Sequence, residues 1–213
     1  MPDQAGVPAP SPDDTSIADP PGGGPVGEVL GLFARRGDGH YGEVVDQRCH
    51  ALQCATLAAD AGAADFLVTA ALLHDIGHLV RGPDPGGSFD LSVDDHHEAA
   101  GARWVAPRFG AAVTQAIAFH VLAKRYSCTV DPTYRGRLSP TSTATLSAQG
   151  GLLGEAEQAR FVAHPGFDEA MALRFWDEQA KVVDAVTPGI DEFVPILSRL
   201  VVARPGVAIL TTG

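Results

Sequence analysis

Ala71-Leu72-Leu73-His74-Asp75-Ile76-Gly77-His78 places a histidine and an aspartate side by side in a run that is otherwise apolar. A helix stripe of Ala and Leu does not carry such a pair without a partner, because an unpaired buried charge is costly. Two readings fit. In one, the histidines are core residues bonded to backbone. In the other, the partner is a metal ion: neutral imidazole and carboxylate are both good ligands, and a carboxylate can bridge two metals. On a helix His74 and His78, four residues apart, share a face. Short patterns of this kind also arise by chance, so the chain on either side has to decide.

Toward the N-terminus, a helix over 45–61 carries His50 among apolar residues and stops at Gly62. A shorter helix over 26–34 precedes it, separated by the glycine-containing break 35–39 and a flexible polar loop with His40, Tyr41 and Glu43. The His-Asp pair sits in a third helix, 63–79. Residues 81–92 form a loop rich in glycine and proline. Asp94-Asp95 suit the start of the helix that carries His97, and Pro107 interrupts before a helix over 111–124 that carries His120. The pattern predicts irregular chain over 125–139, then helices over 141–148, 155–163, 167–185 and 195–202. No strand pair is found, so the expected class is all-α, a helical bundle.

The 213 residues with 45% hydrophobic content suffice for one domain, expected over 26–203, between a disordered tail 1–25 and a C-terminal tail 204–213. No apolar run reaches the roughly 18 residues that a membrane helix needs, and the first residues lack the basic start and apolar centre of a secretory signal. Three cysteines, Cys49, Cys54 and Cys128, lack ligand-like spacing and are expected as reduced thiols of a cytoplasmic protein. The formal charge of −11 argues against nucleic acid and anionic membranes as partners. An anionic substrate would therefore need cations gathered locally, and the candidates are Lys124-Arg125 and the later pair Arg174 and Lys181.

Successive helices each present candidate ligands: His50, His74 with Asp75, His97, His120 and Asp177. Six ligands exceed the needs of one metal and suggest two, with Asp75 placed to bridge. The mixed nitrogen and oxygen set suits iron, manganese or zinc and disfavours magnesium. Helical bundles build dinuclear sites from inward side chains of facing helices. His40, His96 and His164 read as loop or satisfied residues.

The order His, His-Asp, His, His, Asp resembles the HD-domain superfamily, most of whose familiar members are phosphohydrolases. A closer resemblance is carried by Gly42-Glu43 with Gln47, by the run from His50 to Ala55, and by Leu72-Leu73-His74-Asp75-Ile76-Gly77-His78. His97-Glu98-Ala99-Ala100-Gly101, the run from His120 to Tyr126, Leu138-Ser139-Pro140-Thr141-Ser142, Gln149-Gly150-Gly151 and Arg174-Phe175-Trp176-Asp177 add to it. Together they resemble the mixed-valent di-iron oxygenases that cleave carbon–phosphorus bonds. Members of that family act on 2-amino-1-hydroxyethylphosphonate and on its trimethylammonium analogue, and myo-inositol oxygenase is a more distant relative.

The resemblance implies two iron ions, Fe(II)/Fe(III), with O2 as cosubstrate and a small 1-hydroxyphosphonate as substrate. It assigns His50, His74, Asp75 and Asp177 to one iron and Asp75, His97 and His120 to the other. It implies phosphonate contacts from His78, Lys124, Ser142 and Arg174. Lys124 stands one helical turn after His120 and Arg174 one turn before Asp177, as charge-assisted bonds to an anion on the metals would need. A solvated helix end is the alternative for Lys124-Arg125. Lys181 and Arg125 are expected at the surface. A tyrosine and a glutamate near the position of Tyr41 and Glu43 form a lid in the resembled enzymes. Glu43 fits, and could meet a substrate ammonium. The tyrosine is displaced, since His40 stands three residues before Glu43, so either His40 or Tyr41 fills its place, or the loop is an ordinary exposed one. Two other functions stay open: a phosphohydrolase using a metal-bound water on the same scaffold, and a ligand- or metal-sensing domain without catalysis.

Overall fold

The computed structural model describes residues 23–82 and 90–203. The two expected tails fall almost wholly outside them. Among the described residues there are helices and turns but no strand, so the chain is an all-α bundle as expected.

Local chemistry sets most helix starts. α1 (Pro25–Arg36) has proline in its first turn, where a missing N–H costs nothing. α2 (Gln47–Asp60) is capped by the Asp46 carboxylate, which accepts from the Cys49 N–H at 2.7 Å. α3 (Asp65–Leu73) and α4 (Ile76–Arg81) follow, then the long α5 (His97–Val130). α6 (Pro132–Arg135) is a single turn, and α7 (Pro140–Ala148) is capped by the Ser139 hydroxyl. α8 (Glu155–Val162), α9 (Phe167–Gln179) and a 3-10 turn, Ile190–Phe193, lead into α10 (Val194–Leu200).

α5 is the centre of the bundle. It packs against α3, α4 and α9, while α2 lies across α3 and α9. By length and composition α5 is apolar enough to cross a membrane. Its apolar side chains Val105, Val113 and Ile117 instead join Leu72, Leu73, Ile76, Leu79, Leu173 and Leu197 in one buried core. Cys54 and Cys128 are buried free thiols, and Cys49 is half-buried.

The structure corrects the expected helices in four places. The helix expected over 63–79 breaks at the His-Asp pair: Asp75 leaves the helical region (φ −98°, ψ 11°) and α4 restarts after it. Pro107 does not end a helix. The chain passes through it and kinks at Gly110 (φ 81°), and the carbonyl of Arg108 accepts from Val202 N–H at 2.8 Å. Helix also continues through the stretch expected to be irregular, to Val130 and into α6. Cys128 there packs with Leu138 and Leu146, so the segment has a buried side. α9 stops at Gln179 rather than at 185, which frees the carbonyl of Ala180 for the site described below.

Gly77 joins α4 to α5 by backbone contact. A Cβ there would stand 1.9 Å from the carbonyl oxygen of His97 and 3.0 Å from the Gly101 nitrogen. Backbone atoms of two helices cannot yield as a flexible side chain would. Gly77→Ala is therefore expected to cost about 3 kcal/mol or more, the upper range for overpacking, read as a lowered urea midpoint. Full retention of stability would contradict this packing.

Candidate metal centre

Four imidazoles converge in the core, and each has its Nδ1 committed. His50 Nδ1 bonds the Ala180 carbonyl at 2.8 Å, His74 Nδ1 that of Ala71 at 2.9 Å, and His120 Nδ1 that of Ile117 at 2.7 Å. A carbonyl only accepts, so these three nitrogens carry the proton and the neutral rings present a bare Nε2. His97 Nδ1 lies 2.9 Å from Asp95 Oδ1, with the same consequence.

The bare nitrogens then meet in pairs. His50 Nε2 is 3.1 Å from His74 Nε2, and His97 Nε2 is 3.1 Å from His120 Nε2. Two lone pairs at that distance repel, and a shared cation resolves the repulsion. Asp75 lies between the pairs. Its Oδ2 is 3.4 Å from His74 Nε2 and 3.6 Å from His50 Nε2, and its Oδ1 is 3.4 Å from His97 Nε2 and 3.6 Å from His120 Nε2. Asp177 Oδ1 adds a donor to the first pair only, 3.3 Å from His50 Nε2. The residues thus fit two cations: His50, His74, Asp75 and Asp177 around one, Asp75, His97 and His120 around the other, with Asp75 common to both.

Burial and the electrostatics agree with a site built for positive charge. Burial alone raises the Asp75 carboxyl, but His74, His120 and His97 together hold it well below the usual range. Burial likewise opposes ionisation of Asp177, and the Arg174 guanidinium overrides it. Burial opposes a second proton on His74 and the Asp75 carboxylate favours it, lifting the ring well above the usual histidine range, so a proton and a metal ion compete for its Nε2.

The surroundings fix the ligands. Asp95 is split between two rings: Oδ1 takes His97 Nδ1, and Oδ2 stands 2.9 Å from His78 Nδ1. This is the carboxylate–histidine arrangement that orients metal-binding rings. The His78 ring stacks on His97 at 4.2 Å and on Tyr41 at 5.0 Å. Arg174 is fully engaged. Its Nε donates to the Tyr134 hydroxyl at 2.6 Å, and its terminal nitrogens bond Asp177 and Glu178.

A cavity opens onto these ligands, lined also by Glu43, Lys124, Ser142, Gln149 and Lys181. Lys124 is buried, and its ammonium donates to the Thr145 hydroxyl at 3.1 Å and, more weakly, to the Ser142 carbonyl at 3.4 Å. Lys181 reaches the same helix turn from the other side, 3.1 Å from Ser142 Oγ and 2.9 Å from Glu43 Oε1. The 39–45 loop is tied down rather than loose: the Thr141 hydroxyl donates to the Gly42 carbonyl, and Ser139 donates to Glu43 at 2.9 Å. His40 is exposed on that loop, and the Tyr41 hydroxyl, 3.3 Å from the His78 carbonyl, points along α4.

Comparison with known proteins agrees with this geometry. An HD domain matches residues 48–149. The chain is 39% identical to a glycine-betaine-forming 1-hydroxy-2-(trimethylamino)ethylphosphonate dioxygenase from Leisingera caerulea, over 81% of this chain and 88% of that one. It is 42% identical to a hydroxymethylphosphonate dioxygenase from Gimesia maris, over 79% of this chain and 84% of that one. The chain belongs to the HD-domain phosphonate dioxygenase family.

In this HD-domain protein the six proposed ligands do come together, and Lys124, Ser142, His78 and Arg174 all line the cavity beside them. Lys181, expected at the surface, belongs to the cavity wall. Arg125, also expected there, is half-buried and donates to the carbonyls of Gly151 (2.9 Å) and Gly150 (3.1 Å), bracing the turn after α7. Two residues of the site, Asp95 and Lys181, differ from their sequence reading. Asp95 looked like an ordinary helix-start carboxylate, and only its place two residues before His97 pointed to more. Lys181 follows the end of α9, where a sequence pattern gives no direction.

Lys124 carries a pH signature. Burial, then the nearby Arg174, lower it from 10.5 to about 8. The charged form is the one that binds an anion. Affinity for an anionic substrate is therefore expected to hold below pH about 8 and to fall roughly tenfold per unit above it, read as kcat/KM against pH. Stability has the opposite sign: between about 8 and 10.5 the unfolded lysine holds the proton that the folded one has lost, so folding strengthens as pH rises through that window. A kcat/KM profile flat to pH 10 would contradict the assignment of Lys124 to the substrate.

Proposed function

We propose that this chain is a di-iron oxygenase that cleaves the carbon–phosphorus bond of a small 1-hydroxyphosphonate. The substrates named for the two relatives share one unit, a hydroxyl and a phosphonate on the same carbon. The observation that carries the reading is the buried Lys124 ammonium in the same cavity as two sets of convergent donors. A buried cation there is unfavourable unless an anion comes to it.

The balance needs no outside reductant. A 1-hydroxyphosphonate dianion and one O2 give a carboxylate, hydrogen phosphate and one proton. Iron held by His50, His74, Asp75 and Asp177, and by Asp75, His97 and His120, would supply the redox chemistry with oxygen. The chain's own residues do the rest. Lys124 and Ser142 bind and orient the anion, and holding one C–H in place is itself a large part of a rate enhancement. The fixed ammonium offsets the charge of the phosphonate without reorganisation. Asp95 keeps the proton on His97 Nδ1, and Arg174 aims Asp177 through Oδ2 while leaving Oδ1 toward His50. Five of the six ligands, all but Asp75, are buried.

The test is phosphate release from hydroxymethylphosphonate by iron-loaded protein under air and under nitrogen. Release under air alone is expected. Equal release under nitrogen from a phosphate ester would replace the oxygenase with a metal-dependent phosphohydrolase.

A further inference from the structure

The cavity has a second charged feature, the Glu43–Lys181 pair, and the reaction as described makes no use of it. The two side chains are 13% and 12% exposed and lie 2.9 Å apart. Lys181 also donates to Ser142 Oγ at 3.1 Å, so the pair spans the loop, α7 and the end of α9. Glu43 is the residue that the family resemblance would have meet a substrate ammonium. Here that carboxylate already holds an ammonium of the protein.

The remaining means of holding a cationic substituent are also spent. Among the carboxylates lining the cavity, Asp75 and Asp177 face the histidines, with Asp177 also on Arg174. Asp95 is shared by His78 and His97. Asp94 lies 3.1 Å from His96 Nδ1 and faces an adjoining cleft that carries Arg81. A quaternary ammonium is otherwise bound by aromatic faces. Tyr41 is the one aromatic besides histidine among the described lining residues, and its face is stacked on His78. A cationic substrate would have to displace Lys181 from Glu43 while sitting near both Lys181 and Lys124, and like charges brought together in a desolvated site repel.

We infer that Lys181 makes this enzyme selective for 1-hydroxyphosphonates whose substituent carries no positive charge. Lys181 occupies, as an internal cation, the place that a substrate ammonium would take on Glu43. The inference rests on the hydroxyphosphonate reading above and narrows it.

The experiment measures kcat/KM of the iron-loaded enzyme, under air, for hydroxymethylphosphonate, 2-amino-1-hydroxyethylphosphonate and its trimethylammonium analogue. At least a roughly tenfold preference for hydroxymethylphosphonate over each cationic compound is expected, the size of modest single-contact discrimination. A smaller or reversed preference overturns the inference and leaves the oxygenase reading standing. Turnover of none of the three overturns that reading, and the inference with it. Lys181→Gln supplies the second arm. It leaves Glu43 bonded to Ser139 but without an ammonium, and is expected to narrow the ratio about fivefold or more, mainly through a lower KM for the cationic compounds. A merely structural loss would lower all three rates together, and an unchanged ratio would overturn the role given to Lys181. Glu43→Gln with Lys181→Gln removes both charges and controls for folding. It should lose the gain for cationic compounds that Lys181→Gln alone shows, and retention of that gain would count against the inference.

Discussion

Asp75→Asn is expected to strip both metals from the protein. One carboxylate oxygen faces His50 and His74 and the other faces His97 and His120, at 3.4–3.6 Å. An amide of the same shape leaves the fold intact but removes the only charge common to the two donor sets, and it presents an N–H₂ where one lone pair stood. Residues that merely orient ligands already cost about 10- to 100-fold in metal affinity or activity when changed. A shared ligand should cost more, so activity below about one per cent is expected, with fewer than one metal retained per chain. Asp177→Asn makes the comparison, because it touches the first set only and should leave the second metal in place. Metal analysis beside a far-ultraviolet circular dichroism spectrum checks both. If Asp75→Asn kept one full metal while Asp177→Asn lost two, the bridging role would pass to Asp177.

Lys124→Met separates binding from stability. The ammonium is buried and is lowered to about 8 by burial and by Arg174. Methionine keeps the length and apolar stem without the charge, so the folded protein loses a desolvation cost and its melting temperature should hold or rise. The substrate loses a hydrogen bond to a charged group, about 1.5–3 kcal/mol, which at about 1.4 kcal/mol per tenfold raises KM about 10- to 150-fold. Metal content should not change, because Lys124 contributes to neither donor set. An unchanged KM with intact metal would remove Lys124 from the substrate site.

How much of this was legible in the sequence follows from what each residue depends on. His50, His97, His120 and Asp177 could be read only as a set, because each histidine taken alone reads as a satisfied residue and it is their order with His74-Asp75 across successive helices that marks them out. Lys124 could be read because α5 runs unbroken from His120 through it, so the register carries over. The break at Asp75 could not. It exists because the carboxylate must turn to face both histidine pairs while Gly77 lets α4 approach α5, and both causes are tertiary. Across the break His74 and His78 both still turn toward α5, His74 against His120 and His78 stacked on His97. What the sequence does not show is the His78 partner Asp95, a residue on the other side of a loop. Arg174 has the expected spacing to Asp177 and lines the cavity, but the other partners of its guanidinium were not legible. Glu178 and Tyr134 take up the rest of its guanidinium, and their positions are set by α9 and α6 together. Lys181 was legible as a cation but not in its place, because it lies past the last turn of α9, where periodicity no longer says which way a side chain points.

Two irons acting together on a hydroxyphosphonate are the centre of this account. The measurement that reaches them most directly is iron content with low-temperature electron paramagnetic resonance on anaerobically purified protein, before and after adding hydroxymethylphosphonate. Two irons per chain are expected, with a mixed-valent Fe(II)/Fe(III) signal that changes when the compound is added. One metal per chain, or a redox-silent pair in a protein that hydrolyses phosphate esters without oxygen, would contradict it.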